Sequence, residues 1–185
     1  MKKKFINRII NSIYFDNNNN KFVLENLNGF AKRVKLRLRW YNQEQKQIAH
    51  EIKIKKGNKT EKIIRQISLQ KDILNILKEG NLENLIDTKF KSEDKYFPTC
   101  LISYERAYYV SNYCRLTIDD NIKYFDINNN KLNTKFIKDN IVIVELKINE
   151  EDFESFFQSN FNFGSLINVR MSKYMRARSF FLNFE

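Results

Sequence analysis

Residues 33–41 read Arg-Val-Lys-Leu-Arg-Leu-Arg-Trp-Tyr, with cationic and apolar side chains in strict alternation up to the final tyrosine. Successive side chains of a β-strand point to opposite faces of a sheet, so this alternation predicts a strand with one basic and one apolar face. Four like charges in one row repel one another, so the row is typical of a surface that binds a polyanion; an ordinary solvated face is the alternative. The basic face would carry Arg33, Lys35, Arg37 and Arg39, and the apolar face Val34, Leu36, Leu38 and Trp40.

Two further segments, 50–55 and 141–148, combine a β pattern with the sequence Glu-x-Lys. A carboxylate beside lysines can hold a divalent cation while the lysines hold the anion that accompanies it. A cross-strand ion pair at the surface is the alternative for both segments. The residues concerned are Glu51, Lys53 and Lys55 in the first segment and Glu145 and Lys147 in the second.

The composition indicates one basic globular domain spanning residues 1–185. Hydrophobic residues make up 42% of the 185 residues, which suffices for a core at this length. The net charge of +11 implies an acidic partner, which could be nucleic acid, a phosphate compound or an anionic membrane. No apolar run approaches the roughly 20 residues of a membrane span, so we expect a cytoplasmic protein.

Nucleophilic catalysis by a Ser-His or Cys-His pair is not expected. The single histidine, His50, falls on the apolar side of its predicted strand, where a packed residue is the simpler interpretation. The two cysteines, Cys100 and Cys114, lack metal-ligand spacing and are expected to be free, buried thiols in a reducing compartment.

The chain is predicted to be α+β, a mostly antiparallel sheet or barrel with a few helices. Turn signals at Asn28-Gly29, Lys56-Gly57-Asn58 and Asn128-Asn129-Asn130 separate the predicted strands. The predicted strands are at about 12–16, 33–41, 48–55, 61–67, 98–110, 113–127 and 141–148, and the predicted helices are at about 69–78, 82–87, 149–158 and 172–181.

Seven short motifs in this order resemble the VTC domain, the polyphosphate polymerase branch of the triphosphate tunnel metalloenzyme superfamily. The resemblance runs from about residue 10 to residue 177, and its specificity comes from the order, since each motif alone is weak. The motifs are 12–16 (Ser-Ile-Tyr-Phe-Asp), 33–41 after Gly29, 51–55 (Glu-x-Lys-x-Lys), 103–108 (Ser-Tyr-Glu-Arg-Ala-Tyr), 115–119 (Arg-Leu-Thr-Ile-Asp), 145–147 (Glu-Leu-Lys) and 172–174 (Ser-Lys-Tyr).

The resemblance implies an antiparallel β-barrel tunnel that binds ATP with Mn²⁺ or Mg²⁺ and transfers its terminal phosphate to inorganic polyphosphate. The matched residues with expected catalytic roles are Arg37, Arg39, Arg106, Arg115 and Lys173. The expected phosphate-binding residues are Arg33, Lys35, Lys53, Lys55, Lys62, Arg65 and Lys147, and the expected metal ligands are Glu145 and Glu51.

The chain departs from the family pattern at its start, where the strand carrying an Arg-x-Glu-x-Lys motif is expected but not found. Its absence would leave an open sheet edge and remove a lysine and a carboxylate. Two other functions therefore stay open within the fold: a non-catalytic module that binds polyphosphate or inositol phosphates, and a triphosphatase. Association with a membrane partner protein also stays open. A nucleic-acid-binding barrel is disfavoured, because Trp40 lies on the face opposite the arginines.

Overall fold

The computed structural model of the chain describes residues 1–86, 95–158 and 169–182. Eight strands pair antiparallel in a single sheet, and short helices flank it, so the predicted α+β class is confirmed. The strands are β1 (Lys2–Asp16), β2 (Lys32–Tyr41), β3 (Gln47–Lys56), β4 (Lys59–Ser68), β5 (Phe97–Val110), β6 (Cys114–Asn128), β7 (Lys131–Asp139) and β8 (Ile143–Ile148). The helices are α1 (Lys21–Leu27), α2 (Ile73–Lys78), α3 (Phe153–Gln158) and α4 (Lys173–Leu182), with 3₁₀ turns at Leu82–Leu85 and Glu150–Asp152.

The strands follow the order β4-β3-β2-β1-β5-β6-β7, and β8 pairs with the first half of β6 beside β7. The predicted barrel is wrong in one respect, because over the described residues the sheet does not close. Strand β4 forms one edge, and β7 and β8 together form the other. The basic row of β2 therefore lies on an open sheet, with β1 at its centre.

Strand β1 is longer than the sequence predicts. The predicted strand covered 12–16, whereas the structure extends it back to Lys2. Residues 10–15 pair with both β2 and β5, but residues 2–9 pair with β5 alone and are mostly exposed. Backbone pairing holds this first part of the strand, which explains why its side-chain pattern gave no strand signal.

The apolar face of β2 packs into the main core, as its alternation predicts. Leu36, Leu38 and Trp40 are each at most 2% exposed, and Ile73 and Leu77 of α2 belong to the same core cluster. His50 is also buried on this face, opposite Leu38 in the register, in agreement with the packed role expected for it.

Tight hairpin turns fix the register of the edge strands. Asn129 and Asn130 have φ values of 49° and 59° between β6 and β7, as a two-residue type I′ loop requires. Gly57, with φ of 59°, begins the equally short turn between β3 and β4. The turns predicted at these positions are therefore confirmed.

Helix α4 lies across one end of the sheet on the face that carries the basic row of β2. Tyr174 stacks on Tyr14 of β1 with ring centroids 5.1 Å apart, and its hydroxyl donates to Asp16 at 2.7 Å. Further along α4, Arg176 pairs with Asp139 at the end of β7. These contacts hold α4 against the ends of β1 and β7. Among the described helices, none combines the length and apolar character needed to cross a membrane.

Candidate functional site

The strand register places nearly all of the predicted basic residues on one face of the sheet, which we call the site face. Directly opposed residues of antiparallel strands point to the same side, so the pairs Arg37–Glu51, Ser12–Arg39, Lys53–Lys62 and Arg106–Asp119 place residues of six strands, β1 to β6, on this face. The site face carries Arg33, Lys35, Arg37, Arg39, Glu51, Lys53, Lys55, Lys62, Arg106, Arg115, Asp119, Glu145 and Lys147.

Glu51 is the centre of one group of cations, the Glu51 cluster. Arg37 donates from Nε to Glu51 Oε2 at 2.8 Å, Arg39 Nη1 lies 3.4 Å from Oε1, and Lys62 Nζ lies 3.2 Å from Oε2. Burial alone would raise the pKa of Glu51, but Arg37 and Arg39 outweigh it and hold the pKa below its usual value. Three cations thus share one carboxylate, which leaves the cluster with an excess of positive charge.

Asp119 is the centre of a second group, the Asp119 cluster. Arg106 makes a two-pronged contact with its carboxylate at 2.5 and 2.7 Å, and Lys173 Nζ reaches Oδ2 at 2.5 Å. Asp119 is only 1% exposed, and this burial by itself would raise its pKa. The contacts with Arg106 and Lys173 have the larger effect and lower the pKa below its usual value, so the carboxylate stays ionised. Asp119 orients both cations. Its single negative charge neutralises one of their two positive charges, so the cluster keeps one net positive charge.

Tyrosine rings connect the two clusters. Tyr104 is buried, and its ring lies 5.3 Å from the Arg106 guanidinium carbon and 4.6 Å from Lys173 Nζ. On the other side, Tyr14 accepts a hydrogen bond from Arg37 Nη1 at 2.8 Å. These rings fill the space between the cations, so the guanidinium groups are held in fixed positions before any ligand binds.

Lys35 lies near α4 in unusually repulsive surroundings. Its ammonium group donates to the hydroxyl of Ser172 at 2.7 Å. Burial, together with the charges of Lys53, Arg33 and Arg37, lowers its pKa from 10.5 to about 8. A bound polyanion would relieve this repulsion.

The remaining predicted residues differ in position. Lys53 and Arg115 are exposed on the site face, whereas Arg33 and Lys55 are half-buried there. Arg65 does not join them: it points to the opposite face, opposite His50, and donates to the Leu85 carbonyl at 3.0 Å. The loose match that grouped Arg65 with the site did not respect the two-residue period of β4, in which Lys62 and Arg65 fall on opposite faces.

A divalent metal fits this site only with help from a ligand. The part of the chain that the structure describes has no group of three or more His, Cys, Asp or Glu side chains able to hold a metal ion. Glu145 is half-exposed, 3.3 Å from Lys147 and 4.0 Å from Arg106, and it can offer one carboxylate. The neighbouring hydroxyl of Thr117, in register with Glu145, is buried without a hydrogen-bond partner among the described residues.

This donor set matches the coordination preference of Mg²⁺, which is commonly held by one or two carboxylates together with substrate phosphates and water. Glu51 is less suited than Glu145, because its oxygens already contact three cations. Of the two predicted metal ligands, Glu145 is therefore the better candidate.

Several site residues were not predicted. Asp119, Ser172 and Tyr14 appeared in the prediction only within the matched motifs. Asp119 could have been found from the strand period, because it shares parity with Arg115 in the predicted strand. Cys100 and Cys114 are free and buried as predicted, and burial raises the pKa of Cys100 to about 12, which makes it a poor nucleophile.

Comparisons with known proteins concern the fold and the family of this chain. The chain is similar over 92% of its length to 81% of a proposed adenylate cyclase from Bacillus halodurans, with 13% identity and a TM-score of 0.56, a similarity of fold. A proposed adenylyl cyclase from Hippeastrum, whose structure is described as revealing a dominant triphosphatase activity, covers 96% of this chain with 84% of its own, at 11% identity and a TM-score of 0.48. No curated protein sequence matches significantly. The family model for the VTC domain matches residues 3–182, and the chain therefore belongs to the VTC domain family.

Proposed function

We propose that this chain is a metal-dependent phosphotransferase that moves the terminal phosphate of ATP onto inorganic polyphosphate. The observation that supports it best is the Glu51 cluster, in which Arg37, Arg39 and Lys62 converge on one carboxylate and leave an excess of positive charge near the Asp119 cluster. Phosphoryl transfer requires positioning and positive charge around the transferring group more than it requires a protein nucleophile.

The fixed guanidinium groups would bind and align the phosphates. Arg39 and Arg106 have planar forks that match phosphate oxygens, and their partners Glu51 and Asp119 hold those forks in place. A divalent ion held by Glu145 and the phosphates would neutralise charge on the transferring group. Lys35, which contacts Ser172, and Lys173, the first residue of α4, would add charge along the bound chain.

A non-catalytic module that binds polyphosphate or inositol phosphates is the second candidate. Two observations favour it. Glu145 is already paired with Lys147. The described residues also contain no cluster of three or more His, Cys, Asp or Glu side chains that could hold a metal ion by itself. A triphosphatase is the third candidate, since water need only replace the acceptor phosphate.

The substitution Glu145→Gln separates these functions. Wild type is incubated with ATP labelled at the terminal phosphate, short polyphosphate and Mn²⁺ or Mg²⁺, and the label is followed into longer chains and into free phosphate. A polymerase lengthens the chains, a triphosphatase releases only phosphate, and a binding module does neither. For either enzyme, Glu145→Gln should remove metal-dependent turnover and leave metal-free tripolyphosphate binding unchanged or tighter.

A matched control is Glu61→Gln, which changes an exposed strand carboxylate on the opposite face of β4. It should behave as wild type. Robust turnover in Glu145→Gln would show that Glu145 is not the metal ligand, and wild type that fails to bind tripolyphosphate would reject the proposed function altogether.

A further inference from the structure

The site face continues beyond the phosphate-binding cations toward the start of β1, where the character of its side chains changes. Arg8 is opposite Arg106 in the register, and Phe5 is opposite Tyr108. On the neighbouring strand, Tyr41 follows Arg39 at the next position on the same face. We call Phe5, Arg8, Tyr41 and Tyr108 the aromatic end.

The rings and the guanidinium of the aromatic end are in contact. Phe5 and Tyr108 meet edge to face with centroids 5.7 Å apart, and the Arg8 guanidinium carbon lies 4.8 Å from the Phe5 ring and 6.0 Å from the Tyr41 ring. Lys4 Nζ also lies 5.4 Å from the Phe5 ring centroid. Phe5 is 41% exposed and the other two rings are half-buried, so part of each ring remains accessible to solvent. This differs from Trp40, which is buried in the core.

The aromatic end is directly connected to the phosphate-binding cations. The Arg106 guanidinium carbon lies 5.9 Å from the Tyr108 ring while the same guanidinium contacts Asp119. Tyr41 is two residues beyond Arg39 along β2, a distance of ~7 Å in a strand. Burial raises the pKa of Tyr108, whereas the positive charges of Arg106, Arg39 and Arg8 lower it. These three guanidinium groups are therefore close enough to act on the Tyr108 hydroxyl.

Inorganic phosphate chains have no flat apolar part, so they make no use of such surfaces. Nucleobases stack on aromatic rings and on guanidinium planes, and this stacking tolerates every base because each has a π-face. A ligand that is polyanionic at one end and flat and aromatic at the other fits the whole row from the Glu51 cluster to Phe5.

We propose that the aromatic end binds the base of a nucleoside triphosphate whose phosphates lie on the Glu51 and Asp119 clusters. This inference rests on the proposed function for the phosphate positions and adds the position of the base. The ring of Phe5 and the guanidinium plane of Arg8 form the stacking surface, and Tyr41 and Tyr108 line its inner side.

The test compares ATP with tripolyphosphate, which keeps the three phosphates and lacks the nucleoside. Dissociation constants are measured by calorimetry in EDTA, so that no turnover occurs, for wild type, Phe5→Leu and Arg8→Lys. Leucine keeps apolar bulk without a ring, and lysine keeps the charge without a plane. Each variant should bind ATP at least about fivefold more weakly than wild type, and each should bind tripolyphosphate as wild type does.

The matched control is Phe136→Ala, which removes an exposed ring from a cation–π pair with Lys123 on the other face of the sheet. It should leave both affinities unchanged. In wild type, saturation-transfer NMR should show magnetisation passing from the protein to the adenine protons of ATP, which tests the contact without any substitution.

Three results would overturn the inference: unchanged ATP affinity in both variants, equal loss for ATP and tripolyphosphate, or no transfer to the adenine protons. Tight binding of a short oligodeoxythymidine that Phe5→Leu weakens would also overturn it, in favour of single-stranded nucleic acid. If wild type binds ATP but not tripolyphosphate, the proposed phosphate positions fail, and the NMR contact reports separately on the base.

Discussion

Replacing Lys35 with methionine should make the ligand-free protein more stable at neutral pH. The pKa of Lys35 falls from 10.5 to about 8 in the folded chain, and one pKa unit corresponds to ~1.4 kcal/mol, so holding its charge costs at most ~3.5 kcal/mol. The lost hydrogen bond to Ser172 offsets ~1 kcal/mol of that gain. Solvent screening reduces it further, because the side chain is not fully buried, which leaves a net gain of ~1–2 kcal/mol.

The stability gain expected for Lys35→Met depends on pH. Below pH about 8, Lys35 is charged in both the folded and the unfolded chain, so wild type bears the full cost. Between pH about 8 and 10.5 the folded chain releases its proton first, and the advantage of Lys35→Met shrinks until it disappears.

Thermal unfolding followed by circular dichroism measures the difference between wild type and Lys35→Met at several pH values. For a chain of this length, ~1–2 kcal/mol corresponds to a Tm higher by ~2–8 °C at pH 7. The control Lys138→Met changes an exposed lysine on the opposite face of β7 and should move the Tm little. A Lys35→Met protein no more stable than wild type at pH 7, or an advantage that persists at high pH, would refute the reasoning.

Two further predictions concern the clusters. Tripolyphosphate should raise the Tm of wild type, less so at higher salt because multi-phosphate contacts are screened, whereas Arg39→Ala should show no such rise; an equal rise in both would place the ligand elsewhere. Asp119→Asn should lower the free energy of unfolding by ~3–5 kcal/mol in urea, because Arg106 and Lys173 lose a buried carboxylate. The pKa of Asp119 is lowered from 3.8, so its contribution is complete above that pH and should be lost on further acidification; a loss that acid leaves unchanged would contradict the role of its charge.

Alternation was a sufficient signal wherever a strand has one buried face. Strands β2 and β3 were predicted within a residue or two, because Leu36 and Ile52 must face the core while Arg37 and Lys53 cannot. The same period fixed which face the cations share. The order of seven motifs then identified the family, which the alternation alone could not do.

The elements that were missed lack a clear contrast between a buried and an exposed face. Helix α1 has only seven residues, too short for a periodic pattern, and β7 is exposed along most of its length. Backbone pairing with β6 across their tight turn holds β7, and packing against the adjoining strand β2 holds α1. The exposed part of β1 was also missed for lack of a side-chain pattern. The assignment of Arg65 failed because it ignored the two-residue period, which places Lys62 and Arg65 on opposite faces of β4.

The contacts at the start of α4 join residues from opposite ends of the chain. Lys35 and Ser172 are 137 positions apart, and Asp16 and Tyr174 are 158 apart. Contacts this distant in sequence form late and slowly, because a long loop must be closed before they form. During synthesis the site therefore cannot be complete until α4 has left the ribosome. Until then the cations of β2 lack their final neighbours.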